Sequence, residues 1–325
     1  MALARRGDTE GNSDVGLAPP YASREFTRFL EKHHVAVLDV VRGAVPDTRR
    51  LLVGDPATGV VSYAVAVTPV TGGVNPIDNE EAVLQDPGSS LRPSILRTMP
   101  KVVGRVDVFT TLNGLVVTGV PGLRVVVGRR PVLKTREQLE AMPAWLLAVW
   151  NDTAGMTRPV DVGATALSAL LSRHEHALRP EPALDVIRRA RARLGEYEVP
   201  QTLTHGCLCP RHVVTDGGTD VGVDDWGLGS RASNPLRDLG RFAVHIADSR
   251  LPEVMAGRSS YAAAMRRFVC SVLDETPVPR QLWREVLVLT QLELAIESLE
   301  RADPNGMFLL SRAVHALSGA PKRTR

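Results

Sequence analysis

The apolar residues of this chain change their spacing near residue 119. Before that point they form short, β-branched runs, at residues 35–38, 51–53, 60–67, 102–109 and 115–118. Such runs, separated by turn-forming residues, predict a mostly antiparallel sheet. Beyond residue 119 the apolar residues recur with the three- and four-residue spacing of amphipathic helices. The change of period predicts an α+β protein with a small β-rich lobe followed by a larger helical lobe.

The domain boundaries follow from this change of period. Residues 1–22 are polar and glycine-rich and predict a disordered lead-in. Residues 23–118 form the predicted first lobe, and residues 119–319 the helical second lobe. Residues 320–325 are a predicted tail. Ligands often bind in the cleft between two such lobes, which makes the lobe junction the expected site.

Two local signals add detail to the first lobe. Asn75-Pro76 directly precedes residues 78–84, which we predict to be a helix inserted into the sheet. Asn113-Gly114 lies between the last two β-type runs and predicts the turn of a hairpin.

Composition narrows the classes of function. The chain has 325 residues, with 39 lysines and arginines against 36 aspartates and glutamates, and a net charge of +3. The basic residues are spread along the chain, so we expect no nucleic-acid partner. No run of about 18 apolar residues occurs, so we expect no membrane partner. Three cysteines and the lack of a signal-peptide pattern predict a reducing, cytoplasmic location.

Three short motifs carry the functional signal. Residues 205–214 read HGCLCPRHVV, residues 222–227 read GVDDWG and residues 234–240 read NPLRDLG. Their order and spacing resemble the aminoglycoside and small-molecule phosphotransferases, which carry H-G-D-x-x-x-x-N, a hairpin, (V/I)-D-W and P-x-x-D-L. The resemblance is specific over residues 203–242 and extends, by the order of predicted strands, over about residues 35–318. It implies a two-lobed fold like that of the protein kinases.

The resemblance also implies a set of residues for phosphoryl transfer. In kinase-like enzymes an Asp orients the acceptor hydroxyl, an Asn and a second Asp hold magnesium, and a Lys tethered by a Glu holds the ATP phosphates. By position, Asp225 corresponds to the main metal-binding Asp, His205 to the leading His and Asp238 to the structural Asp of the next helix. Glu80, or its neighbour Glu81, falls where the tethering Glu belongs. Glu80 and Asp225 are therefore predicted cofactor-binding residues, and Asp225 is a predicted metal ligand.

Three positions depart from that set. Cys207 stands where the catalytic Asp belongs, and His212 stands where the metal-binding Asn belongs. Ala66 stands where the Lys belongs, and the first three predicted strands contain no Lys, which leaves Glu80 without a lysine partner. A thiol does not replace a carboxylate as acceptor of the hydroxyl proton, and magnesium prefers oxygen ligands to imidazole. Ordinary phosphoryl transfer with ATP and magnesium is therefore not expected, and the cofactor stays open.

The same loop leaves other interpretations open. His205, Cys207 and His212 are the predicted catalytic residues, in which a thiol or imidazole moves protons and a neighbouring imidazole lowers the pKa of the thiol. Together with Cys209 they also supply zinc-type ligands, although four ligands within eight residues lack the usual two separated pairs. Cys209 is otherwise a small buried residue, and Asp224 is predicted to face a turn or to be solvated.

Two hypotheses about function follow. In the first, the protein is a pseudokinase that binds a peptide, a small molecule or a partner biosynthetic enzyme without phosphorylating it. Degenerate proteins that resemble this family stand beside true kinases and lyases in bacterial pathways of modified peptides, so the resemblance extends to assisting natural-product maturation. In the second, the protein is a divergent ATP-dependent kinase of a small-molecule hydroxyl, in which Asp224 covers for Cys207. The sequence leaves open whether the protein is an enzyme.

Overall fold

The computed structural model describes residues 22–43, 48–68, 75–109, 112–123, 135–161, 181–215 and 221–300. The predicted lead-in, apart from residue 22, and the predicted tail lie outside these ranges. The boundary between the two predicted lobes falls next to residues 124–134, which are also outside them.

A five-stranded antiparallel sheet forms the first part of the chain. Its strands follow the spatial order β1-β2-β3-β5-β4. Their bounds are β1 Ala36–Arg42, β2 Arg49–Gly54, β3 Val61–Val67, β4 Val102–Phe109 and β5 Leu112–Thr118. The β-branched residues predicted to form these strands do so because their side chains pack well on a pleated surface. Three helices accompany the sheet: α1 Arg24–His33, α2 Pro76–Gln85 and the short α3 Pro93–Leu96.

The two faces of this sheet pack against different partners. On one face, Val65 and Val116 pack with Phe26 of α1. On the other face, Leu52 and Leu115 join the main core, which continues into the helices of the second part of the chain. Side chains alternate between the faces along each strand, and this alternation produces the division.

Helices dominate the described chain from residue 135 onward. They are α4 Thr135–Thr153, α5 Glu181–Gly195, α6 Leu236–Ala247, α7 Leu251–Ala256, α8 Ser260–Leu273 and α9 Trp283–Glu300. Six short strands lie among them: β6 Thr157–Pro159, β7 Glu198–Pro200, β8 Thr202–Thr204, β9 Val213–Thr215, β10 Val221–Val223 and β11 Ser230–Ser233. The antiparallel pairs are β6 with β7, β8 with β11 and β9 with β10. None of the described helices has the length and apolar character needed to cross a membrane.

The predicted hairpin between β4 and β5 is present, but its turn does not lie at Asn113-Gly114. Both residues lie inside β5, where Asn113 pairs with Asp107 and Gly114 pairs with Val106. A Cβ atom on Gly114 would lie 2.6 Å from a side-chain carbon of Val108 and 2.9 Å from one of Val65. The glycine therefore permits close packing within the sheet rather than a turn.

Candidate functional site

A buried arginine, rather than a lysine, supplies the cation beside Glu80. Arg50 lies on β2, directly opposite Ala66 of β3. Its Nη1 donates to both carboxylate oxygens of Glu80, at 2.8 and 3.0 Å, and lies 3.3 Å from Asp225 Oδ1. The side chains of Arg50 and Glu80 are each 2% exposed. The partner of Glu80 is therefore an arginine on the strand beside Ala66, whereas the resemblance pointed only to a lysine at the position of Ala66.

Three carboxyl groups surround this one guanidinium. Burial opposes the charge of Arg50, but Glu80, Asp225 and Asp224 together raise its pKa, so it stays a cation. Asp224 is itself buried, and burial raises its pKa to about 7 against the opposing effect of Arg50. Its Oδ1 has no hydrogen-bond partner in the described part of the chain. The expectation that Asp224 is solvated is therefore wrong.

Helix α2 holds the loop that follows β10. The backbone N–H of Trp226 donates to Glu80 Oε1 at 3.3 Å. Asn79 Nδ2 donates to the carbonyls of Gly227 and Gly229, each at 3.0 Å. The loop that carries the predicted metal ligand is thus fixed against the helix that carries the predicted tethering glutamate.

His205 is buried and anchors the motif loop. Its Nε2–H donates to the carbonyl of Asp224 at 2.7 Å, and its Nδ1 accepts from the backbone N–H of Cys207 at 3.3 Å. The backbone N–H groups of His205 and Gly206 donate to the carboxyl group of Asp238, at 2.6 and 2.9 Å. Because both ring nitrogens are engaged, the geometry favours an anchoring role. The catalytic role of His205 stays a prediction.

His212 is buried and uncharged. Its Nδ1–H donates to the carbonyl of Cys207 at 3.1 Å, and its Nε2 accepts from Arg211 Nε at 3.0 Å. Burial lowers the pKa of His212 to about 3, although Asp225 opposes this shift. The 3.6 Å approach of its Nε2 to Asp225 Oδ2 therefore joins a neutral imidazole to a carboxyl group. The geometry suits His212 to bracing the loop, and its catalytic role stays a prediction.

Cys207 is half-buried, and its thiol is not activated. Burial raises its pKa, although the charges of Arg241 and Arg211 oppose the shift. The expectation that a neighbouring imidazole lowers this pKa is wrong. His205 accepts a hydrogen bond from the backbone N–H of Cys207, and His212 donates one to its carbonyl. Neither imidazole lowers the pKa of the thiol.

The zinc-type side chains of the loop do not form a metal site. The ring nitrogens of both histidines are engaged in hydrogen bonds, as described above. Cys209 is buried, and burial raises its pKa to about 12. In the described ranges, no group of three or more His, Cys, Asp or Glu residues is arranged to hold a metal ion. The zinc interpretation is therefore wrong.

The residues present do not fit a complex of magnesium and a nucleotide. Asp225 directs Oδ1 toward Arg50 and Oδ2 toward His212, and His212 offers nitrogen rather than the oxygen that magnesium prefers. Five residues, which we call the Arg50 cluster, are each at most 9% exposed: Arg50, Glu80, His212, Asp224 and Asp225. Only Nη1 of Arg50 is bonded in the described part of the chain, whereas its Nε and Nη2 are buried without a hydrogen-bond partner. Burial of the guanidinium, rather than its contacts alone, therefore keeps a phosphate group away from the cation.

Solvent reaches two side chains of the loop formed by residues 205–212. Cys207 is half-buried and Arg211 is exposed, whereas the other six residues are buried. A ligand lying over this loop therefore meets a neutral thiol beside a guanidinium. Arg211 was not singled out from the sequence, because it occupies a variable position of the motif.

Changing Asp224 to asparagine should alter how stability depends on pH. Between about pH 4 and pH 7 the folded protein keeps a proton on Asp224 that the unfolded chain has lost, because burial raises the pKa to about 7. The contribution of this group to stability therefore falls as the pH rises through that range. His212, whose pKa burial lowers to about 3, acts in the opposite direction up to about pH 6.5. In the parent protein the two slopes oppose each other.

In Asp224→Asn the contribution of Asp224 to this pH dependence is absent, while those of His212 and the other buried groups remain. The free energy of unfolding of this variant should rise relative to the parent by about 2–3 kcal/mol between about pH 4 and 6.5. Urea unfolding at several pH values measures the difference. Asp39→Asn, at an exposed position of β1, is the control and should keep the parent slope. Parallel curves for Asp224→Asn and the parent would contradict a buried, protonated Asp224.

Solved structures of the same fold place this site in context. No family model matches the chain, and no curated protein matches its sequence. The chain is similar to the aminoglycoside phosphotransferase APH(4)-Ia, with a TM-score of 0.55 and 13% identity over 91% of this chain and 98% of that one. A thermostable mutant of APH(4)-Ia in ternary complex with AMP-PNP and hygromycin B gives 0.54 and 14%, over 90% and 97%.

A second kind of neighbour has the same fold. A choline/ethanolamine kinase family protein from Mesorhizobium loti matches with a TM-score of 0.51 and 16% identity, over 87% of this chain and 93% of that one. The predicted two-lobed, kinase-like fold, with a β-rich first lobe and a larger helical second lobe, is confirmed by these similarities.

Proposed function

Starting from the aminoglycoside-phosphotransferase fold of this chain, we propose that the protein is a pseudokinase, which binds a ligand between its lobes without transferring phosphate. The observation that supports this most directly is the enclosure of the Arg50 cluster. Its cation already pairs with Glu80 and Asp225, and no member of the cluster is more than 9% exposed. Burying unpaired charge is costly, so pairs of this kind resist being opened by an incoming phosphate.

The acceptor side of the site supports the same proposal. A working kinase needs a carboxylate beside the acceptor hydroxyl. Here Cys207 holds that position with a raised pKa, so its thiol is protonated at neutral pH and is a poor proton acceptor. Asp224 does not cover for it, since its carboxyl group is enclosed with Arg50.

The ligand in this proposal is a peptide or a metabolite that carries an anionic group. Cys207 and Arg211 are the side chains of the loop that such a ligand meets, and a guanidinium binds carboxylates in a paired geometry. The proposal extends to assisting the maturation of a modified peptide, together with a partner biosynthetic enzyme. Deleting the gene or replacing Cys207 and Arg211 by alanine should then change the modified peptides that the organism produces. Unchanged products in both cases would remove that extension.

Magnesium and ATP should leave the melting temperature unchanged. If the Kd for the nucleotide were about one-hundredth of the concentration added, mass action would raise the free energy of unfolding by about 2.7 kcal/mol. For a chain of this size that corresponds to a rise in melting temperature of about 5 °C. Differential scanning fluorimetry with ATP and magnesium at millimolar concentration measures the shift. The same mixture should show no turnover of ATP with a panel of hydroxyl-bearing acceptors.

The competing function is that of a divergent, ATP-dependent phosphotransferase acting on a small-molecule hydroxyl. Two observations favour it: Arg50 restores the cation that pairs with Glu80, and Asp225 keeps its place beside them. A rise of several degrees with ATP and magnesium, kept in Arg50→Lys but lost in Arg50→Met, would support this function and contradict the pseudokinase proposal. A rise in melting temperature that needs no magnesium, without turnover of ATP, would show that the protein binds the nucleotide but does not transfer phosphate.

A further inference from the structure

A groove lies on the face of the sheet opposite the Arg50 cluster. Its volume is about 300 Å³, and it is lined by Arg28, Phe29 and Lys32 of α1 and by Val103 and Gly104 of β4, among other residues. Helix α1 packs on this outer face of the sheet. Leu51 belongs to that outer cluster, and its neighbour Arg50 therefore points to the other face. The groove is thus separate from the site described above.

One wall of the groove is the free edge of a strand. β4 lies at the end of the strand order, and no described strand pairs with its far side. Ser23, at the start of α1, covers one end of that edge, where its N–H donates to Val108 O at 2.9 Å. Farther along, the space beside Gly104 is open, since a Cβ atom there would meet no atom within 4 Å. Val103, beside it, is 48% exposed.

The other wall is basic. Arg28 and Lys32 lie one turn apart on α1 and are exposed, and neither forms an ion pair within the described ranges. Arg105 pairs with carboxylates of α2. Glu25 also lines the groove and keeps its negative charge, although it accepts a hydrogen bond from the backbone N–H of Asp107 at 3.4 Å. Two cations, Arg28 and Lys32, therefore outnumber this one carboxylate in the groove, next to unpaired backbone and an exposed valine.

We propose that this groove binds an extended, acidic segment of a partner protein, which adds to β4 as a sixth strand. Its backbone pairs with the open edge at residues 103–106, which at about 3.3 Å per residue is room for about four residues. Apolar side chains of the segment contact Val103 and Phe29, and its carboxylates reach Arg28 and Lys32. An open strand edge is a ready template for pairing, and the two cations select an acidic partner. The proposal does not depend on the pseudokinase function.

The test uses two synthetic peptides of eight residues, each labelled with fluorescein. One alternates valine and glutamate, and the other alternates valine and lysine. In fluorescence anisotropy the acidic peptide should bind the full-length protein at least 10-fold more tightly than the basic one. Its affinity should fall as salt is added, because the charges that select it are exposed. Equal binding of the two peptides, or no binding of the acidic one, would overturn the proposal.

Matched variants locate the binding. Arg28→Glu with Lys32→Glu should weaken the acidic peptide at least 10-fold. Arg266→Glu with Arg267→Glu makes the same change of charge at exposed positions of α8 and should change affinity less than 2-fold. If both double variants weaken binding equally, net charge rather than the groove attracts the peptide, and the proposal fails.

The edge of the sheet has its own control. Val103→Asp should weaken the acidic peptide, whereas Val40→Asp, at a 52% exposed position of the opposite edge strand β1, should not. Bound peptide should also slow hydrogen exchange of the amides at residues 103–106. Unchanged exchange there, or displacement of the peptide by inorganic phosphate at equal concentration, would indicate a small-anion site and overturn strand addition.

Discussion

Replacing Arg50 with methionine should lower the free energy of unfolding by about 3–5 kcal/mol, because buried carboxylates then lose their cation. Methionine keeps most of the volume of the side chain, so the loss reports on charge rather than on a cavity. Glu80 and Asp225, which contact the guanidinium, would remain in a site that is closed to water. Urea unfolding monitored by circular dichroism measures the loss.

The loss should shrink as the pH falls. Without the guanidinium, the carboxyl groups of the cluster bind protons more readily, and a protonated carboxyl carries no charge to bury. Arg50→Met and the parent should therefore differ less at pH 5 than at pH 8. A difference that grows toward low pH would contradict the assignment of the cluster.

The adjacent arginine provides the control. Arg49 lies on the same strand with an exposed side chain, and Arg49→Met should change stability by less than about 0.5 kcal/mol. Arg50→Lys keeps the charge but not the forked set of N–H donors, so its loss of stability should lie between those of Arg50→Met and Arg49→Met. If Arg50→Met is too unstable to measure, Arg50→Lys still tests the pair. Equal effects of Arg50→Met and Arg49→Met would show that Arg50 is not enclosed with Glu80.

A double-mutant cycle tests the contact itself. Glu80→Gln should cost much less when Arg50 is already methionine than it does in the parent, since the partner it loses is then absent. A coupling energy of about 1–3 kcal/mol is expected for groups in direct contact. Additive effects would mean that the two side chains act independently.

The fold and the motif loop were predictable because their signals are local. The strands at Val61–Val67 and Val102–Phe109 follow from the spacing of apolar residues within each segment. The motifs at residues 205–240 follow from residue types at fixed separations. Neighbours along the chain decide these elements, so one sequence is enough to place them.

The cation of the site was not predictable in the same way. Arg50 is 30 residues from Glu80 and 175 residues from Asp225 along the chain. The resemblance pointed instead to the third strand, where Ala66 stands. Alternation does place Arg50 on the same face of β2 as Leu52, and this signal was present in the sequence. It does not say which face of the strand turns inward, and that depends on the packing of α2 and the helical part of the chain.

The protonation states were also beyond the sequence. Cys207, Asp224 and His212 all have pKa values shifted mainly by burial, each toward its neutral form. Burial of these groups arises from how the loop packs against α2, α4 and α6, and residue types alone do not report it. A side chain predicted to be solvated, such as Asp224, can therefore become a neutral acid in the folded protein.

The anchoring of the motif loop gives the second large effect. Asp238 is 2% exposed, and its carboxyl oxygens accept from the backbone N–H groups of His205 and Gly206 at 2.6 and 2.9 Å. Asp238→Ala leaves two buried N–H groups without acceptors. Each such group costs about 1–3 kcal/mol, so the free energy of unfolding should fall by about 4 kcal/mol. Asp238→Asn keeps one acceptor oxygen and should lose about half as much.

Stability alone would not locate the Asp238 effect, so hydrogen exchange is the deciding measurement. In Asp238→Asn, the amides of His205 and Gly206 should exchange faster under native conditions, while amides in the sheet at residues 61–67 keep the rates expected from global stability. Asp274→Ala, at the exposed end of α8, removes only a loose ion pair with Arg280 at 3.5 Å and should alter neither. If the two loop amides exchange no faster than in the parent, Asp238 does not anchor the loop, because its carboxyl group is then dispensable to the backbone that presents Cys207.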